Sequence, residues 1–176
     1  MTDTSTATMA SLSPGRYRLE ANQSELHYSS KHMFGLGMVH ATFSVRSGEL
    51  RVGDPLATSV VEVTVDAASF SSGNARRDKD VRSAGLLDVE RYGDITFASE
   101  GLQSTEDGWL VSGTVTAHGH TVPVDVRIDR VVNEGAGIRI HGRAERLDRT
   151  AFGITGSRGM VGRYLDLELD VLAIPA

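Results

Sequence analysis

The chain has 176 residues, a formal net charge of -5, 40% hydrophobic and 23% charged residues, and no cysteine. Its length suits one domain with a single core, and its composition is that of an ordinary globular protein. The acidic balance argues against a general nucleic-acid binder, and the lack of cysteine excludes disulfides, thiolate metal sites and a cysteine nucleophile.

Residues 1–13 are predicted to form a flexible tail, because they are rich in Ser and Thr and do not show the basic start and apolar run of a secretory signal. Residues 14–176 are predicted to form the folded domain. No apolar run reaches the roughly 18 residues that a membrane-spanning helix needs. We therefore expect a cytoplasmic protein without a membrane span.

From Pro14-Gly15 onward, apolar and polar residues alternate with a period of two, which is typical of strands with one buried face. Turn signals, among them Ser47-Gly48 and His118-Gly119, separate nine or ten such segments. Many short antiparallel strands predict an all-β barrel or sandwich, and a closed barrel of about eight strands best removes exposed edges. The segments cover residues 17–21, 25–33, 39–45, 61–65, 95–97, 109–117, 122–128, 138–140 and 165–173.

One stretch, Asn74–Ser83, breaks this rhythm and contains four cations and two carboxylates. Ser72 or Asn74 can cap a helix here, and Val81 and Ala84 give it a narrow apolar side, so the stretch predicts a helix on the surface. Carboxylates beside arginines form ion pairs more readily than they act as bases. We expect Arg77 and Asp78 to form such a pair within the helix.

The chain lacks the common catalytic motifs, including those of zinc proteases, esterases and phosphate-binding loops. His118 and His120 have a spacing that metal sites use, but no companion ligands are fixed by spacing, so a turn is the favoured interpretation. The sequence thus predicts no catalytic residue, no metal and no cofactor.

Several segments together resemble the YceI-like family, in register over about residues 15 to 172. The most specific are Lys31-His32-Met33, the stretch Ser69–Ser83, Ile95-Thr96-Phe97, and Arg149 with Phe152-Gly153. The resemblance implies an extended lipocalin-like antiparallel β-barrel with one short helix near the barrel mouth. It also implies an apolar tunnel that holds an isoprenoid or similar amphipathic lipid, which the protein would bind, store or transport.

Under this resemblance, eight apolar residues are candidates for the tunnel wall and mouth, with Leu86 and Leu87 anchoring the helix over the mouth. Four polar residues are candidates for the lipid head group, because guanidinium groups suit a phosphate or a quinone carbonyl. The wall and mouth candidates are Phe34, Phe43, Phe70, Leu86, Leu87, Phe97, Trp109 and Phe152. The head-group candidates are His32, Arg77, Arg82 and Arg149.

Three further features of the sequence bear on these expectations. Gly93 and Leu86-Leu87 depart from the proline and phenylalanines that the family often has there, which predicts a looser entrance and a different ligand. Many relatives are exported, whereas this sequence shows no signal. Exposed strand faces could pair two copies of the chain as a homodimer.

Two other functions are also compatible with the sequence. An enzyme could use His32 as a base on a lipophilic substrate in the same pocket. A barrel filled by its own side chains could instead serve as a stress-related scaffold.

Overall fold

A computed structural model describes residues 8–157 and 159–176; residues 1–7 of the predicted tail lie outside them. The described chain forms ten strands and one α-helix. The strands are β1 (Thr8–Met9), β2 (Gly15–Leu19), β3 (Glu25–His32), β4 (Gly37–Val52), β5 (Val60–Asp66), β6 (Asp94–Thr105), β7 (Gly108–Ala117), β8 (His120–Glu134), β9 (Gly137–Asp148) and β10 (Val161–Pro175). The helix, α1, spans Ala75–Arg82.

Strands β3 to β10 close into one antiparallel barrel. Each pairs with the next strand along the chain, and β10 pairs back with β3. Strand β2 pairs with β4 and β10, the same neighbours as β3. The two strands therefore share one of eight positions in the wall, interrupted by a 3-10 turn at Ala21–Gln23. The closed ring of pairings joins the last strand of the sheet to the first and confirms the predicted fold.

The two ends of the barrel differ. One end, called here the α1 end, carries residues 67–93 with α1 and the loop 149–160. The opposite end carries the turns at 53–59, 106–107 and 135–136. There β1 runs parallel to β8, and the Ala10 amide donates to the Val131 carbonyl at 2.7 Å. Residues 8–10, within the predicted tail, thus lie against the barrel.

The predicted turn at Ser47-Gly48 is wrong, because β4 runs through it without a break. The pairing of β4 with β5 shifts register between Val45 and Ser47, which is a β-bulge. A Cβ at Gly48 would lie 2.5 Å from Leu19 Cδ1. The glycine therefore permits a close approach inside a bent strand, which is its other common role in a sheet.

The predicted helix is confirmed at α1, with Asn74 as its N-cap: the Asn74 side chain accepts the Arg77 amide at 3.0 Å. The expected Arg77–Asp78 ion pair is wrong. Asp78 is buried, and its Oδ1 accepts hydrogen bonds from the Ser72 amide at 2.9 Å and the Ser72 hydroxyl at 2.6 Å. Successive residues diverge around a helix, so neighbours in sequence are poorly placed to pair.

The Asp148 carboxylate secures the start of the loop 149–160. It accepts hydrogen bonds from the Thr150 amide at 2.9 Å and from the Thr150 hydroxyl at 2.6 Å. The Arg163 guanidinium forms an ion pair with it at 2.9 Å. The Arg163 hydrogen bond, followed by those from Thr150, lowers the pKa of Asp148 from 3.8 to about 2.

Asp148→Asn is expected to lower the melting temperature slightly at neutral pH, because the ion pair with Arg163 is lost. A carboxyl whose pKa is depressed in the folded state stabilises above its unfolded pKa and loses that effect as pH falls. The melting temperatures of the two proteins should therefore converge between pH 3.8 and about 2. A difference that stayed constant over this window in thermal melts would contradict the assignment.

Candidate ligand-binding cavity

The barrel encloses a cavity of about 170 Å³. All eight strand positions of the barrel contribute apolar side chains to the cavity lining, for example Leu26, Val63, Phe97, Val126 and Leu169. A dry apolar cavity of roughly 150 Å³ is large enough to hold a benzene-sized molecule. The interior thus has room for a hydrocarbon group of at least that size.

Several inward-pointing side chains are only half-buried although strands surround them. Val61, Val63, Leu102 and Trp109 belong to this group, and all four line the cavity. A close-packed interior would bury such side chains completely. Their residual exposure therefore reports internal space, which disfavours the filled-barrel alternative.

The cavity lining carries few polar groups. Ser59, Thr96 and Ser99 are its polar residues, and no charged side chain lines it within the described parts of the chain. The hydroxyl oxygen of Ser59 accepts the Gly53 amide at 2.9 Å, and that of Ser99 accepts the Val61 amide at 2.8 Å. The site is therefore suited to an apolar ligand with at most a small uncharged polar group.

Three aromatic rings form a cluster toward the α1 end. Phe70 meets Phe43 at 5.3 Å and Tyr28 at 5.5 Å between ring centroids, both edge to face. Val81 of α1 and Leu87 pack against this aromatic cluster. Burial raises the pKa of Tyr28, so its hydroxyl stays protonated and donates to Ser30 Oγ at 2.8 Å.

The structure divides the eight predicted wall and mouth residues among three places. Phe97 and Trp109 line the cavity. Phe43 and Phe70 form the aromatic cluster, and Leu87 packs against it.

The other three lie away from the cavity lining. Leu86 and Phe152 are buried at the α1 end, where a Cβ at Gly156 would lie 3.5 Å from the Leu86 side chain. Phe34 is 81% exposed, in the turn between β3 and β4. A leucine or phenylalanine side chain predicts either burial in the core or contact with a ligand. Only its position in the barrel decides between the two.

The four head-group candidates all lie at the α1 end. Arg149 is buried and donates to three backbone carbonyls, those of Ile154 at 2.8 Å, Gly162 at 3.0 Å and Val161 at 3.1 Å. This arrangement binds the loop 149–160 to the start of β10.

Arg82 donates through Nη2 to the Phe70 carbonyl, while its Nε is buried without a hydrogen-bond partner among the described residues. Arg77 Nη1 lies 3.5 Å from Ser72 Oγ. The His32 ring lies against Gly37, where a Cβ would come within 2.3 Å of Nε2. None of the four side chains lines the cavity as the structure describes it.

Most of the cavity lining was missed by reasoning from residue type, because it consists of Val and Leu side chains that any core would contain. Alternation identifies which side chains point inward, but not which of them surround empty space. Ser59 and Ser99 carried no signal, because single serines in strands and turns are common.

His118 and His120 lie where β7 turns into β8. His118 and Gly119, with φ of 51° and 73°, form the two-residue turn between β7 and β8, as predicted. His118 Nδ1 lies 3.1 Å from the Phe152 carbonyl. In the described parts of the chain, no three His, Asp or Glu side chains are grouped as a metal site would require, and no helix has the length and apolar character to cross a bilayer.

Comparison with known proteins identifies related sequences and similar structures. UPF0312 proteins from Vibrio cholerae serotype O1 and Pseudomonas putida are 32% and 31% identical, over 83% and 93% of this chain and 79% and 95% of their own. The crystal structure of Burkholderia cenocepacia BcnA superposes with a TM-score of 0.72 at 22% identity, covering 88% of this chain and 98% of that one.

A polyisoprenoid-binding domain from Saccharophagus degradans, described as implicated in plant cell wall breakdown, superposes with a TM-score of 0.69. It is 17% identical and covers 93% of this chain and 100% of its own. These two structures share the fold. The model of the YceI-like domain matches residues 17–173, and the chain therefore belongs to the YceI-like family.

Proposed function

We propose that this protein binds an isoprenoid or similar amphipathic lipid, with the hydrocarbon chain inside the barrel, and that it stores or transports that lipid. The observation that carries the proposal is the hollow apolar interior, where half-buried Val and Leu side chains surround the cavity. A structural relative described as a polyisoprenoid-binding domain supports the same class of ligand.

Burial of the chain supplies enough free energy for such binding. About ten buried methylene-sized groups contribute roughly 8 kcal/mol before the costs of association. That gross value corresponds to about micromolar affinity, and the loss of ligand freedom reduces it. Non-directional contacts along the cavity can therefore hold the chain, and polar contacts need only orient the head.

Two features favour binding over catalysis. The lining of the cavity has three hydroxyls but no titratable acid or base among the described residues. His32, the base that the enzyme alternative would use, packs against Gly37 instead of lining the cavity. A lipid-converting activity that disappears in His32→Ala while lipid binding survives would instead support the enzyme alternative.

The proposal is tested by extracting the purified protein under denaturing conditions and analysing the extract by mass spectrometry. We expect an isoprenoid-like lipid in a stoichiometric amount from the unaltered protein. Ala144→Trp is expected to lose most of this lipid, because Ala144 is buried and lines the cavity, where an indole would occupy the ligand's space.

Ala98→Trp is the matched control, because Ala98 is exposed on β6 and outside the lining. Circular dichroism shows whether each variant keeps its strands, and Val115→Phe offers a milder filling of the same cavity. Unaltered protein that yields no lipid and shows no shift in melting temperature with added farnesol would refute the proposal.

A further inference from the structure

The wall between β5 and β6 is incomplete at the end opposite α1. The backbone ladder joins Glu62 to Ala98 and continues from there toward Asp66 and Asp94. Strand β6 runs on to Thr105, so residues 99–105 have no backbone ladder to β5. We call the gap between residues 56–61 and 99–102 the seam.

The seam opens onto the cavity. Leu56, Val60 and Leu102 line the cavity at its two flanks. Val60 is one residue out of phase with the inward-facing Val61 and Val63, and it is 44% exposed while it also contacts the cavity. A side chain that meets both solvent and cavity marks an opening in the wall.

Few hydrogen bonds cross the seam within the described parts of the chain. The hydrogen bonds of the loop before β5 stay within that loop, from the Gly53 amide to Ser59 Oγ and from the Thr58 amide to the Pro55 carbonyl. Beyond the last ladder pair, the bond from the Val61 amide to Ser99 Oγ crosses from β5 to β6. One hydrogen bond between the described residues thus joins the two flanks of the seam.

Two serine hydroxyls lie at this opening, and each has a proton available. Ser59 is buried, and both Ser59 and Ser99 line the cavity. Each hydroxyl oxygen accepts a backbone amide, and neither hydroxyl donates to another group among the described residues. A hydroxyl that accepts one hydrogen bond can still donate its own proton, and a sheltered donor without an acceptor is unfavourable.

We propose that Ser59 and Ser99 form a polar subsite at the seam, which binds one uncharged oxygen at the end of the lipid. The inference rests on the proposed function, because an amphipathic ligand leaves its polar end where the cavity opens. The oxygen is a prenol hydroxyl or a carbonyl instead of a phosphate, since no charged side chain lines the cavity in the described chain. Such an oxygen has two lone pairs with which to accept hydroxyl protons.

The test compares farnesol with farnesene, which has the same isoprenoid skeleton without the oxygen. Binding is followed through Trp109, which lines the cavity and is the single tryptophan of the chain. We expect unaltered protein to prefer farnesol by about fivefold to tenfold, the effect of roughly one net hydrogen bond. Ser59→Ala with Ser99→Ala should remove this preference, whereas farnesene affinity should change little.

The ratio of the farnesol and farnesene affinities is compared within each variant. Losing the serine contacts to the backbone would change both affinities alike, so this general effect cancels in the ratio. Ser59→Thr retains a hydroxyl and should keep the preference, and Ser104→Ala, exposed on β6, is the neutral control. A preference that persists in the double variant, or that unaltered protein lacks, would overturn the subsite while leaving lipid binding intact. Failure of both probes to bind unaltered protein would instead count against the proposed function.

Binding of farnesyl diphosphate distinguishes a head-group site at the seam from one at the arginines of the α1 end. If this anion binds more tightly than farnesol, and Arg82→Gln removes the difference, the head group lies at the α1 end and the proposal for the seam is wrong. If farnesol is preferred and Arg82→Gln does not change the preference, the seam is supported.

Discussion

Replacing Arg149 by methionine is expected to lower the free energy of unfolding by about 3 kcal/mol or more, because three partly buried carbonyls lose charge-assisted hydrogen bonds. For a protein of this size, that loss corresponds to a fall of about 6–12 °C in melting temperature. Arg149→Lys should recover little, since an ammonium places its donors on one atom whereas the three carbonyls are reached through separate guanidinium nitrogens.

The control for Arg149 is Arg163→Met on the neighbouring strand. Arg163 is 60% exposed and pairs with Asp148, so its loss should lower the melting temperature far less. Urea unfolding at neutral pH measures both variants. If Arg149 served the lipid head group instead of the loop, Arg149→Met would weaken ligand binding and leave the melting temperature unchanged.

The barrel could be predicted from sequence because its physical cause is visible there. Alternation such as that of Val122, Val124 and Val126 indicates which face of a strand is buried. The number of strands then predicts that the sheet closes into a barrel. The helix was equally visible, since Asn74 is a strong capping residue followed by a polar stretch in an otherwise alternating chain.

The site was less predictable, because residue type does not reveal what a side chain touches. Arg149 and Arg82 suggested an anion site, yet backbone carbonyls 5 to 13 residues away in sequence engage both guanidinium groups. Phe43 and Phe70 suggested a ligand wall, yet their rings pack on each other. Such choices depend on loop geometry and on volumes filled by distant strands, which a single sequence does not specify.

The pattern of residues alone could not show that the interior is hollow, and the expectation of a tunnel rested on the family resemblance. Val63, Leu102 and Leu169 would suit a filled core as well as a lined cavity, since burial and cavity contact require the same apolar side chains. The difference lies in the summed side-chain volume inside eight strands of a given tilt, which only the three-dimensional structure gives.

Phe70→Ala is expected to destabilise the protein by roughly 3–5 kcal/mol, because it removes a fully buried ring and leaves a cavity behind. The variant also loses both edge-to-face contacts, with Phe43 and Tyr28, which add to the effect of burial. Phe34→Ala is the matched control: the same side chain is removed at a position 81% exposed, and the change should stay within about 0.5 kcal/mol.

The Phe70 variant further tests whether the aromatic cluster limits the cavity toward the α1 end. Val65 and Ile95 pack against the cluster and also line the cavity, so removal of the Phe70 ring should extend the apolar space in that direction. Phe70→Ala that remains folded should then favour geranylgeraniol over farnesol more strongly than unaltered protein does, measured by Trp109 fluorescence. An unchanged preference between the two prenols, together with the expected loss of stability, would mean that the cluster supports α1 without limiting the length of the ligand.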